Sequence, residues 1–176
     1  MEIQASRFGA RTGPSGEPVL LLDQNRARWD QLLIRRGLAA LDRAEAQAKA
    51  LGQPLGSYVL QAAIAACHAR ARSSAETDWA RIVGLYGRLA ELAPSPVVEL
   101  NRAVALGMLF GPAAGLELVD ALTAEPSLKP RSLCHNDDNL VTSHDAARGY
   151  VAELAFKDGF AENMTYEGSR SRNGET

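Results

Sequence analysis

A chain of 176 residues can fold as one domain with a hydrophobic core, and its 46% apolar and 23% charged content is ordinary for a globular protein. A formal charge of −2 gives no electrostatic footprint for nucleic acid, which shows as a basic excess, so no direct nucleic acid contact is expected from this chain. Two cysteines make no disulfide framework, no apolar run approaches the ~20 residues of a membrane span, and the first residues carry no apolar signal region, so a cytoplasmic location is expected.

Only 6% of the residues are aromatic while alanine and leucine abound, a bias toward close-packed helices. Residues 1–22 are expected to form an irregular lead-in. Gly13-Pro14-Ser15-Gly16 and Pro18 specify a turn, giving a loop or short hairpin before a buried extended segment at Val19–Leu22. Asp23 or Asn25 can then cap a helix whose apolar stripe is Trp29, Leu32, Leu33, Ala40, Leu41, Ala44 and Ala48, ending at Gly52-Gln53-Pro54. A second helix from about Ser57 to Ala71 is small or apolar nearly all round and must pack on more than one side. Thr77 or Asp78 caps a third helix to about Leu92, and Pro96 or Val97 starts a fourth to about Leu109. Pro112 starts a fifth to about Ala124, these prolines falling in the first turn where they are tolerated. Residues 127–176 lose this periodicity. They are expected to be weakly helical near 145–157 and otherwise disordered.

Two of these segments repeat. Asp78 to Pro94 reads as a helix with an aromatic near its start, apolar residues at i, i+3, i+4 and i+7, and a proline stop. Gly111 to Pro126 repeats the pattern 32 residues later, counted from Pro94 to Pro126. The spacing is close to the roughly 34-residue period of tetratricopeptide (TPR) units, which bury their apolar faces only against neighbours and usually serve as partner-binding scaffolds. The expected fold is therefore all-α: TPR-like antiparallel helix pairs over residues 23–126, forming a short right-handed solenoid, with a divergent tail.

Three blocks carry a more specific resemblance: Glu17-Pro18-Val19-Leu20-Leu21-Leu22-Asp23-Gln24-Asn25-Arg26-Ala27-Arg28-Trp29-Asp30, Leu60 to Ala69, and Leu92 to Ala105. In content and order they resemble the TPR-like C-terminal extension of extracytoplasmic-function (ECF) RNA polymerase sigma factors, over roughly residues 2–128. An Asp usually stands in that family where this chain has Asn25. The promoter-reading sigma domains have no counterpart here, and Leu128–Thr176 resembles nothing in the family. The simplest expectation is a reading frame truncated at its start and shifted near Pro130. The resemblance implies a module that supports or regulates sigma domains in transcription initiation, with sigma domains or the RNA polymerase core as partners. The alternative is a freestanding TPR adaptor for a peptide or partner helix, and an uncapped solenoid end would also allow self-association.

Candidate contact residues follow from these two frames. With Ala63 at the small-residue position of the first TPR helix, His68 lies toward the groove, and Asn101 and Arg102 occupy the corresponding place in the next unit. Asn101 would equally serve to cap or bridge neighbouring helices. Arg28 and Asp30 belong to a charged cluster around Trp29 that could dock onto sigma domains, or that simply starts a helix with an acidic cap. Cys67-His68 and Cys134-His135 lack zinc-site spacing, because adjacent residues on a helix diverge by ~100°. No G-x-S-x-G, H-E-x-x-H or phosphate-cradling glycine loop is present. Neither enzyme activity nor a metal or cofactor is expected.

Overall fold

The computed structural model describes residues 2–17 and 19–122. The fold over these residues is all-α: α1 (Glu2–Ala5), α2 (Gln31–Ala50), α3 (Ser57–Arg70), α4 (Trp79–Leu92), α5 (Pro96–Phe110) and α6 (Pro112–Ala121), with 3-10 turns at Phe8–Ala10, Leu21–Asp23 and Arg26–Arg28. The expectations for residues 127–176, and for the last residues of the fifth predicted helix, lie outside the described residues.

Local chemistry places most of the ends. Asp78 caps α4, its Oδ1 accepting from the Arg81 amide at 2.9 Å. Pro96 and Pro112 stand at the first positions of α5 and α6, where the missing N–H is no loss. Gly111 alone separates these two helices, with φ of 98°, a left-handed conformation that a side chain would strain. Consecutive helices are neighbours: α3 packs on α4, α4 on α5, and α5 on α6.

The start of α2 differs from expectation. Asn25 caps only the 3-10 turn at Arg26–Arg28, its Oδ1 accepting from the Ala27 amide at 3.0 Å. The cap of α2 is Asp30, whose Oδ1 accepts from the amides of Leu32 at 2.8 Å and Leu33 at 3.0 Å. Trp29 therefore precedes the helix, and it does not mark the helix's inner stripe. That stripe is centred on Ile34 and Leu41, while Leu32 and Ala40 face outward. Leu21–Asp23 forms a 3-10 turn where a buried extended segment was expected.

Of the loop or short hairpin expected in the lead-in, the hairpin is found: the Val19 amide donates to the Arg11 carbonyl at 2.7 Å and the Gly13 amide to the Glu17 carbonyl at 2.8 Å. Ahead of it, α1 sends Ile3 into the core against α2 and α3. Gly37 permits this approach, since a Cβ there would stand 2.5 Å from Ile3 Cγ1.

The main core joins Ile3, Leu41, Leu60, Ala63, Ile64, Cys67, Ile82, Leu85, Leu89 and Ala105. A second cluster of Leu100, Ala103 and Val119 lies between α5 and α6. A third, of Ala10, Leu21, Trp29 and Ile34, fastens the lead-in to α2. Ile82 is almost fully enclosed, so Ile82→Ala should lower stability by roughly 2–5 kcal/mol in urea unfolding. Leu32→Ala, despite its place in the predicted stripe, should change stability by no more than about 0.5 kcal/mol.

Candidate functional site

The densest polar chemistry among the described residues lies where the 3-10 turn before α2 meets the end of α3 and the start of α4. Its centre is Arg26. One guanidinium nitrogen, Nη1, donates to the carbonyls of His68 at 2.6 Å and Ala71 at 2.9 Å, and Nη2 donates to Thr77 Oγ1 at 3.1 Å. The last carbonyls of a helix have no partners within the helix, and a cation there also suits the helix dipole. The Arg26 guanidinium stacks on Trp29, with Cζ 5.2 Å from the ring centroid, and Arg7 lies over the same indole at 5.9 Å. Trp29 Nε1 is buried without a hydrogen-bond partner among the described residues, so the ring is held by its faces.

His68 completes the knot. Its ring packs edge-on against Trp79, the first residue of α4, at 5.3 Å between centroids and 74° between planes. Burial, reinforced by the nearby positive charges of Arg7 and Arg26, pushes its pKa down to about 3, so the imidazole is neutral at pH 7. Burial also lowers the pKa of Arg26, partly opposed by the attraction of Glu76. The imidazole is thus neutral and enclosed, and its Nδ1 is buried without a hydrogen-bond partner among the described residues.

The residues proposed from sequence are not brought together. His68 retains only 8% of its surface exposed, so it offers no side chain to a groove. Asn101 is buried in α5 and its Nδ2 donates to the Val97 carbonyl at 2.7 Å, a bond within its own helix that neither caps nor bridges neighbouring helices. Arg102 pairs with Glu99 one turn earlier at 2.8 Å, without hydrogen-bond alignment. Asp30 is the cap of α2, and its own amide donates to the Ser6 carbonyl at 2.8 Å. Arg28, by contrast, is exposed. Cys67 is buried, and burial pushes its thiol pKa up. Cys134, His135 and His144 lie outside the described residues.

Sequence reasoning missed Arg26 as the fastening and Arg7 as a buried partner of Trp29. The signal available was the crowding of arginines around a lone tryptophan. Their targets, 42 to 51 residues further along the chain for Arg26, had no sequence signal.

Residues 1–45 match the family described as "Family of unknown function (DUF6596)". That span includes Arg7, Arg26 and Trp29. Over 120 residues, 68% of this chain, the sequence is 46% identical to "Uncharacterized protein R00370" of Rhizobium meliloti (strain 1021). The match covers 27% of that protein, so the chain spans about a quarter of the length of the relative it matches. No solved structure matches the chain.

Arg26→Met should cost roughly 2–4 kcal/mol, because the buried Thr77 hydroxyl and two carbonyls lose a charged donor. Arg26→Lys should recover only part of that, since an ammonium cannot reproduce the fork. Both are read from urea midpoints. For His68 the folded state disfavours the proton that the unfolded state accepts below about pH 6.5. Its contribution to stability is thus fully present above pH 6.5 and is lost as pH falls toward 3. The loss should approach roughly 1.4 kcal/mol per pH unit in that window. The stability difference between the wild type and His68→Phe should carry this slope, and a pH-independent difference would contradict it.

Proposed function

We propose that this chain is the helical, TPR-like module of an ECF sigma factor, acting in transcription initiation by contact with sigma domains or the RNA polymerase core. In this reading it works within a longer polypeptide. The observation that carries it is that the three blocks bearing the resemblance meet in one unit. Arg26 of the first block is bonded to the His68 carbonyl of the second, and α3, α4 and α5, which hold the second and third, pack in succession. A family match over residues 1–45 and the similarity to part of a longer relative fit a module of this kind. Packing of each helix on the next is also what a stack of antiparallel pairs requires.

The test is a binding measurement between the 176-residue chain and the sigma-domain pair of a related full-length sigma factor. Saturable binding at micromolar concentration or tighter is the expected result. Absence of binding to both the pair and the polymerase core would overturn the proposal and leave a freestanding adaptor as the better description.

A further inference from the structure

The outward face of α2 is unlike the rest of the molecule. By helical spacing Leu32, Arg35, Arg36, Ala39 and Arg43 share one side, opposite the inward Ile34 and Leu41, and all five are exposed. At its start this face carries an exposed apolar side chain, Leu32 at 56%. The chain as a whole is acidic, yet residues 26–43 hold five arginines (26, 28, 35, 36 and 43) against Asp30 and Asp42.

The local acids are already engaged. The Asp30 carboxylate caps α2, Asp42 pairs with Arg70 at 3.3 Å, Glu45 approaches Arg81 at 4.0 Å, and Glu2 pairs with Arg36 at 2.7 Å. Among the described residues, no hydrogen bond or ion pair engages Arg35 or Arg43. What remains is a positive stripe with an apolar anchor at one end. We propose that this face of α2 binds an acidic, amphipathic helical surface of a partner protein. The proposal rests on the protein-contact reading above and replaces the mixed Arg28–Asp30 patch with a surface of one sign.

Other occupants fit less well. A second copy would set arginines against arginines in a symmetric contact, which like-charge repulsion opposes. Nucleic acid would have to approach a chain of net charge −2, and this stripe is interrupted by Leu32 and Ala39 where phosphate contacts would be wanted. A helix of 20 residues such as α2 offers about 30 Å of length for a partner helix.

The experiment uses the full chain with two probes and a duplex DNA control. One is the sigma-domain pair named above. The other is a helical peptide of about 20 residues carrying Glu on one side and Leu at its edge. Arg35→Glu/Arg43→Glu is compared with Arg72→Glu/Arg88→Glu, an equal charge change at exposed positions outside α2. Unchanged thermal unfolding establishes that both variants remain folded. The α2 variant should bind each probe about tenfold more weakly and lose most of the salt dependence, while the other variant stays within about twofold. Equal weakening by both variants, no weakening, or tighter binding of duplex DNA than of the acidic peptide would overturn the inference. Binding of the peptide but of neither the sigma pair nor the polymerase core, with the α2 effect intact, would sink the sigma reading alone. Binding of the sigma pair unaffected by the α2 variant would sink this inference alone. Silence of both probes and of the polymerase core overturns both.

Discussion

The Arg26 guanidinium ties the turn before α2 to the end of α3 and to the loop that leads into α4. Its bonds reach His68 and Ala71 at the end of α3 and Thr77 just before α4, 42, 45 and 51 residues away. Each acceptor is one that a helix end or a turn leaves without a partner. Desolvating an arginine is costly. Three acceptors and the Trp29 face offset that cost together, and removing any of them leaves buried polar groups exposed to the full penalty.

Much of the N-terminal architecture follows from that fastening. With Arg26 and Arg7 both over the Trp29 ring, the 3-10 turn leads directly into Asp30, the cap of α2. Ile3 then seats against Gly37, and the lead-in becomes part of the core. The same placement turns Leu32, Arg35 and Arg43 outward, so the interior knot determines which charges the surface presents. Of the residues proposed for contact from sequence, His68 belongs to this knot and Asn101 is buried in α5, while the exposed arginines of α2 belong to the surface.

Local rules were readable in the sequence wherever a residue carries its own backbone chemistry. Asp78, Pro96, Pro112 and the break at Gly111 set the ends of α4, α5 and α6 through capping and the limits of φ. The small-residue character of α3 likewise foretold its burial, Ala63 and Ala66 being fully enclosed. The phase of α2 was not readable, because Trp29 looked like a helical stripe position and is placed by a 3-10 turn instead. One misplaced aromatic rotates the apparent inner face by a large fraction of a turn, which is how Leu32 was favoured over Ile34. Nor was the role of Arg26 visible, since an arginine's partners are decided by tertiary packing. A histidine two positions from a helix end likewise reads as surface until its neighbours are known.

Amide hydrogen exchange on Arg26→Met, compared with the wild type under native conditions, tests the fastening most directly. Loss of protection confined to the end of α3 and the first turn of α4, with α5 and α6 unchanged, is the result expected if Arg26 ties these segments together. Protection at those amides equal to the wild type would contradict it, and the knot would then be a consequence of helix packing and not its anchor.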